Sequence, residues 1–463
     1  MQSLAVSWFF FFFIGLIFGG WTLWKRRPNE AVGVCAAISM LAPTWVYIGI
    51  EPYVFDVRMS LACVMLLAYC VHPKGLLKYP QHWLDAVVVG LIFVYILRDV
   101  SKGGDAVTVS LRAIAEWLVP YLAGRCTMLF RGSAAFLAPW FTGVAIVLGV
   151  GALIEAMTGT NVWEQAFGAV DDVVQRSRDK RYGILYRAVG PTRHPIFLGI
   201  LFLLLIPFPV KLISQSTRTM GRVVGVVALL LIASGIIATV SRGPLIALVI
   251  IAVCGATIRW PAVRPFAAVL TIVFAATSIL CGDRLTATFE KTDSTRGRSK
   301  LLNVNDEAIV YSGTRNRLLV WKVYGPLVLR GGMFGYGTAA VSSFPPNIPG
   351  LPASAKSAET LGIVDNSYLL LGLRFGTVGL TLFITLIAGA VFTAIAHLRS
   401  AGNLFYPDGN WFLIALASTL VGISFEIATV FLSYEFGFWL IFTCGMSAGI
   451  ASLHRRLMRG ADN

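Results

Sequence analysis

The sequence predicts an all-α polytopic membrane protein, and three observations carry that expectation. Of its 463 residues, 57% are hydrophobic and 13% charged, roughly half the charge of a soluble domain. The mean hydropathy is +0.75. Apolar runs of about 20 residues, the length that crosses a hydrocarbon core, recur from end to end. This balance excludes a soluble enzyme, a disordered chain and a peripheral membrane protein. The net charge of +15 would suggest nucleic acid in a soluble protein. Here basic cytoplasmic loops account for part of it, and no nucleic-acid partner is expected.

The first run, Leu4 to Trp24, is too long for a signal-peptide core and lacks a small-residue cleavage site, so it reads as a transmembrane helix. Further spans are expected near 31–50, 55–72, 83–98, 106–124, 134–157, 195–213, 222–240, 243–258, 263–281, 366–396, 411–431 and 434–453. That gives about 12–13 helices in a single membrane domain over 1–463. Arginines and lysines after the first, third and fifth spans, around Arg218, Arg259 and Arg455, all fall on one side, which marks it as cytoplasmic. The N-terminus is then periplasmic and the C-terminus cytoplasmic. Seven cysteines form no CxxC, metal-ligand spacing or disulfide framework and read as small hydrophobes.

Two long loops land outside: 158–194, and 282–365 before the last three helices. Both are rich in arginine, among them Arg187, Arg193, Arg315 and Arg317. Long loops can translocate whatever their charge, so solvated surface is the plain reading. The sharper one is a cationic site for a polyanionic group, because guanidinium matches phosphate with paired donors.

Four stretches could carry chemistry. Ser241-Arg242-Gly243-Pro244 follows an apolar run, where backbone donors at a helix start can take an anion or the arginine can merely snorkel. Arg315 to Trp321, followed by Gly335-Tyr336-Gly337, suggests a short amphipathic helix on the outer face with a cation near its start. Asp365-Asn366-Ser367-Tyr368 stands where the large loop re-enters the membrane; an acidic or amide residue there serves as an N-cap, a general base, or both. Of five histidines, the expected topology leaves only His194 outside, in Arg193-His194-Pro195, as an acceptor-binding group or a structural residue at a helix start. Arg112, Glu116, Glu155, Arg374, Glu426 and Glu435 are charges in or near spans, which are functional by default unless they sit at interfaces.

The order and spacing of these motifs resemble the O-antigen ligase and polymerase superfamily, over roughly residues 180–395 by motif and over the whole chain by topology. The resemblance implies a GT-C-like glycosyltransferase at the periplasmic face of the bacterial inner membrane, using neither metal nor cofactor. It implies an undecaprenyl-diphosphate-linked glycan as donor, held by Arg242 and Arg317, and a lipid-linked glycan or lipid A core as acceptor. Membrane lipid surrounds the site, and a chain-length regulator is a candidate further partner. Ligases of this family carry His-Asn, nine residues and Gly-x-x-Gly; here Asp365-Asn366 is followed by nine residues, Gly376 and Gly379. Aspartate in place of that histidine resembles the exopolysaccharide and O-antigen polymerases more than the ligases.

The expected mechanism follows from the leaving group. A glycosyl diphosphate needs charge stabilisation on departure, which preorganised arginines supply. Arg242 and Arg317 take that role with Asp365 as base to the attacking hydroxyl, which inverts the anomeric centre. Arg187, Arg193, His194, Ser241, Asn366 and Arg315 are expected to bind substrate, with Trp321 and Tyr336 stacking on sugar. The alternative of another class, a transporter or lipid-linked glycan flippase, needs cations lining a membrane passage, whereas these collect in loops.

Overall fold

In the computed structural model, residues 2–25, 28–50, 53–71, 81–168, 180–181, 185–266, 268–269, 300–304, 307–311, 313–343, 345–352, 364–400 and 410–461 are described. Strands occur there only as three two-stranded antiparallel hairpins, and the rest of the regular structure is helical. Among the described residues, eight helices are long and apolar enough to cross a membrane, and Met59–Val71 and Trp411–Glu426 are shorter apolar ones. The protein is an all-α polytopic membrane protein.

The N-terminal part runs α1 (Gln2–Trp24), α2 (Pro28–Ser39), a hairpin of β1 (Tyr47–Ile50) and β2 (Tyr53–Asp56), then α3 (Met59–Val71) and α4 (Trp83–Ser101). The span expected over 31–50 is therefore shorter: its helix stops at Ser39 and the chain turns into the hairpin. Pro43 explains the stop, since it lacks an N–H and disfavours helical geometry in the residue before it. Next, α5 (Ala106–Ala113) passes through a π-helical turn, Ile114–Leu118, into α6 (Val119–Thr127). Then come α7 (Ser133–Thr158), α8 (Val162–Phe167) and a hairpin of β3 (Lys180–Arg181) and β4 (Leu185–Tyr186).

The second half comprises α9 (Pro195–Leu205), α10 (Pro207–Gln215), α11 (Thr219–Ala238) and α12 (Arg242–Arg259). After a hairpin of β5 (Lys300–Val304) and β6 (Glu307–Tyr311) follow α13 (Gly313–Arg330), α14 (Thr338–Ser342), α15 (Ser367–Ser400), α16 (Trp411–Glu426) and α17 (Tyr434–Ala461). Most of the span expected at 263–281 lies outside the described residues, as do Arg176, Arg178, Arg284, Arg296 and Arg298.

α17 is the central post. Its span is almost wholly buried, with Phe436, Leu440 and Cys444 sealed from solvent. A second, smaller apolar cluster joins Leu319, Val320, Tyr324, Leu327 and Val328 of α13 to Leu369, Leu370 and Leu373 of α15. This cluster positions the candidate site.

Candidate functional site

The helix expected after Arg315 is α13, and Arg317 lies in its first turns. α13 and the first arm of α15 are clasped at their far ends. α15 breaks at Gly376, where φ is 69° and ψ is −166°, a conformation that glycine adopts without a side-chain penalty. The break frees backbone groups that the turn after α13 satisfies. Tyr336 N–H donates to Leu373 O at 2.7 Å and Gly337 N–H to Arg374 O at 3.0 Å; Thr377 N–H donates to Gly332 O at 3.1 Å and Val378 N–H to Met333 O at 3.2 Å. A Cβ at Gly376 would collide with the Met333–Phe334 backbone. The Gly335-Tyr336-Gly337 and Gly376–Gly379 motifs are thus two halves of one joint. α4 braces it, with the Arg98 guanidinium on Gly335 O and Asp99 Oδ1 accepting from Thr338 N–H at 2.8 Å.

At the other end of the clasp, Arg317 approaches Asp365. The cap of α15 is Asn366 and not Asp365: Asn366 Oδ1 accepts from Leu369 N–H at 2.9 Å, and its Nδ2 donates to Ala428 O. Ser367 Oγ donates to Val430 O at 2.7 Å, and Tyr368 OH to Ser424 O at 2.9 Å. The Asp-Asn-Ser-Tyr segment is therefore stitched to the end of α16. Asp365 is left with no structural hydrogen bond among the described residues. Burial pushes its carboxyl up to about 6, with the Arg317 charge pulling the other way. Ion pairs such as Arg58–Asp56 and Arg125–Asp85 close elsewhere; Arg317 and Asp365 influence one another without closing one.

Arg242 is the exposed first residue of α12. Before it, Val240 adopts φ 49°, an outlier for a β-branched residue and a place where backbone strain is stored. The buried Ser241 gives α12 no side-chain cap. Its Oγ donates to Thr239 O at 3.1 Å and accepts from Arg187 Nη2 at 3.3 Å.

Glu426, the last residue of α16, was one of six charges expected in or near spans, with no role or partner assigned. Its carboxylate is fully buried and neither oxygen has a hydrogen-bond partner among the described residues. It packs on Gly243 so closely that a Cβ there would collide with both oxygens, and the Arg317 charge acts on it as on Asp365. The group seated against this uncapped helix start is thus a carboxyl side chain of the protein itself. The signal in the sequence was a glutamate closing an apolar helix, but only the fold places it against Ser241-Arg242-Gly243.

The remaining expected residues are dispersed. His194 caps α9, its Nδ1 accepting from Ile196 N–H at 3.2 Å, and its ring packs near Phe197. Arg193 is exposed, and its backbone N–H donates to Glu435 Oε2 at 3.0 Å. Tyr336 sits in the joint, its OH on Leu327 O at 3.0 Å. Trp321, one turn beyond Arg317, is 48% exposed. The side chain of Arg315 lies outside the described residues. Among the described residues, no group of three or more His, Cys, Asp or Glu could hold a metal ion.

No curated protein matches the chain. Residues 227–384 match the O-Antigen ligase family, a stretch that includes Arg242, Arg317, Asp365 and both halves of the joint. The match supports a glycosyltransferase of ligase or polymerase type that works on lipid-linked glycan. The chain is a multi-pass membrane protein whose residues 227–384 are similar to the O-Antigen ligase family, within the stretch over which the motifs resemble it.

Proposed function

We propose that the protein is a metal-independent, inverting glycosyltransferase that polymerises undecaprenyl-diphosphate-linked repeats at the periplasmic face of the bacterial inner membrane. The carrying observation is Asp365, relieved of capping by Asn366 and, among the described residues, unpaired within the field of Arg317. A carboxylate poised near 6 suits a general base at neutral pH. Arg317 and Arg242 would stabilise the departing diphosphate, with Arg187 supporting the turn that carries Arg242. The Glu426 carboxyl at the end of α16, packed on Gly243 of α12, adds to the field around Arg317 without bonding it. Asp365 then accepts the proton of the attacking sugar hydroxyl as the anomeric carbon–diphosphate bond breaks, and the leaving diphosphate carries the electron pair away.

A second reading has its own support. The matching family is described as O-Antigen ligase, which favours transfer of finished glycan to lipid A core, whereas aspartate in place of the ligase histidine favours polymerisation. The experiment is transfer by purified protein in liposomes, with an undecaprenyl-diphosphate-linked repeat as sole substrate. Ladders of longer lipid-linked glycan, lost in Arg317→Ala, are expected. Product only after lipid A core is added would replace polymerase by ligase, and none under either condition would overturn both.

A further inference from the structure

A cavity of about 1240 Å³ is lined by none of Arg242, Arg317 and Asp365 and, apart from Arg193, by residues outside the four motif stretches. Its walls are α3, the α5–π-turn–α6 helix and the start of α17. It exceeds the roughly 300–1,000 Å³ of a usual small-molecule pocket. Two features suit it to a long apolar chain. Lining residues Leu66, Leu111 and Tyr69 are 66%, 49% and 42% exposed on apolar helices, so an opening lies on a surface that hydrocarbon would cover. The wall also contains the π-helical turn, with Ile114, Ala115, Glu116 and Leu118 all facing the cavity; such turns recur at functional sites.

Its charges are largely committed to one another. Arg58 pairs with Asp56 at 3.3 Å and donates to Tyr434 O at 2.7 Å. Arg125 pairs with Asp85 at 2.7 Å, Glu116 lies in the fields of Arg112 and Arg374, and the Glu435 carboxylate accepts from the Arg193 backbone. A lining balanced in this way does not trap a phosphate. One polar end, however, is formed by Arg193, Ser433 and Glu435. Arg193 belongs to the same segment as Arg187, whose guanidinium reaches Ser241 beside Arg242.

From the opening on a hydrocarbon-facing surface, the largely apolar lining and the polar end at Arg193, we infer that the cavity houses the isoprenoid chain of the lipid-linked substrate. The chain enters sideways between α3 and α5–α6, and its head passes Arg193 toward Arg242 and Arg317. The inference rests on the proposed function for the identity of the chain, and on the cavity alone for its place.

The test uses whole purified protein and a photoreactive undecaprenyl phosphate without glycan, so that binding is read apart from transfer. Crosslinks are expected on residues 59–71 and 111–122, with one carrier per chain by native mass spectrometry. Ala62→Trp and Leu118→Trp, which fill the cavity, should each weaken retention roughly tenfold, the loss for about two expelled methylenes. Val89→Trp, on an exposed face of α4 outside the cavity, should not. Crosslinks confined to other helices, unchanged retention in a folded filled variant, or equal displacement by phosphatidylglycerol would each overturn the assignment. Carrier bound at these residues by a protein that transfers nothing would leave this inference standing and remove the proposed function. Full transfer by a filled variant would do the reverse.

Discussion

Asp365→Asn should make the protein more stable while nearly silencing it. An aspartate in the unfolded chain titrates near 3.8, and burial holds this one at about 6. Below 3.8 the carboxyl is protonated in both states and costs nothing. As pH rises the unfolded form ionises first, so stability is lost progressively until the folded carboxyl has also ionised. At about 1.4 kcal/mol per pH unit, the interval amounts to about 3 kcal/mol by pH 7–8. Water reaching this partly exposed group makes that a ceiling. Asparagine keeps the shape and cannot ionise, and the Asn366 cap survives. Thermal unfolding of detergent-purified wild type and variant should therefore coincide near pH 4 and separate by a few degrees at pH 8, with the variant higher. Turnover has the opposite sign: a base works when ionised, so wild-type activity should rise through about pH 6, and the variant should lose turnover far more than donor binding. A variant less stable at pH 8, or a stability difference independent of pH, would refute the reasoning.

Arg317→Lys should recover little of the activity lost in Arg317→Ala, because an ammonium lacks the paired donors of guanidinium; a fully active lysine variant in the ladder assay would mean that charge alone suffices. Gly243→Ala should destabilise by about 1–3 kcal/mol, the usual penalty for overpacking, since its Cβ meets the Glu426 carboxylate. Glu426→Ala should relieve most of that cost, giving a non-additive double-mutant cycle in thermal unfolding. Additive effects would separate the two residues.

The membrane class was legible because composition and run length report directly on the solvent a helix must meet. Helix ends were less so: the helix expected over 31–50 yields at Ser39 because a local proline outweighs the apolar pattern that continues past it. At the site, Arg242, Arg317 and Asp365 were singled out with the help of the family resemblance, and the fold brings Arg317 and Asp365 within each other's field. The division of labour between Asp365 and Asn366 was not, since either residue can cap, and only the bond to Leu369 decides it. Glu426 stood out as a charge near a span, but its place against the site did not, for a different reason. Its partner Gly243 is 183 positions away, and nothing local in an apolar helix ending in glutamate tells a snorkelling charge from one buried without a hydrogen bond.

The glycine motifs show how a sequence pattern can belong to a site without touching substrate. From Asn366 to the break at Gly376, the first arm of α15 is about 15 Å long at about 1.5 Å per residue. Arg317 lies some 20 Å, on the same measure, from the end of α13. Both arms run toward the joint that Gly335–Gly337 and Gly376–Val378 form, and Leu319, Val320, Leu369 and Leu370 hold them together near the site. The fixed interval between Asp365 and Gly376 is therefore the length of a lever. It sets which turn of α15 faces Arg317, and adding or deleting one residue in either arm would rotate the facing side chain by about 100°, given about 3.6 residues per turn. The spacing encodes the register of a cation against a carboxylate, and the two glycine motifs keep that register by hydrogen-bonding each other at the far end.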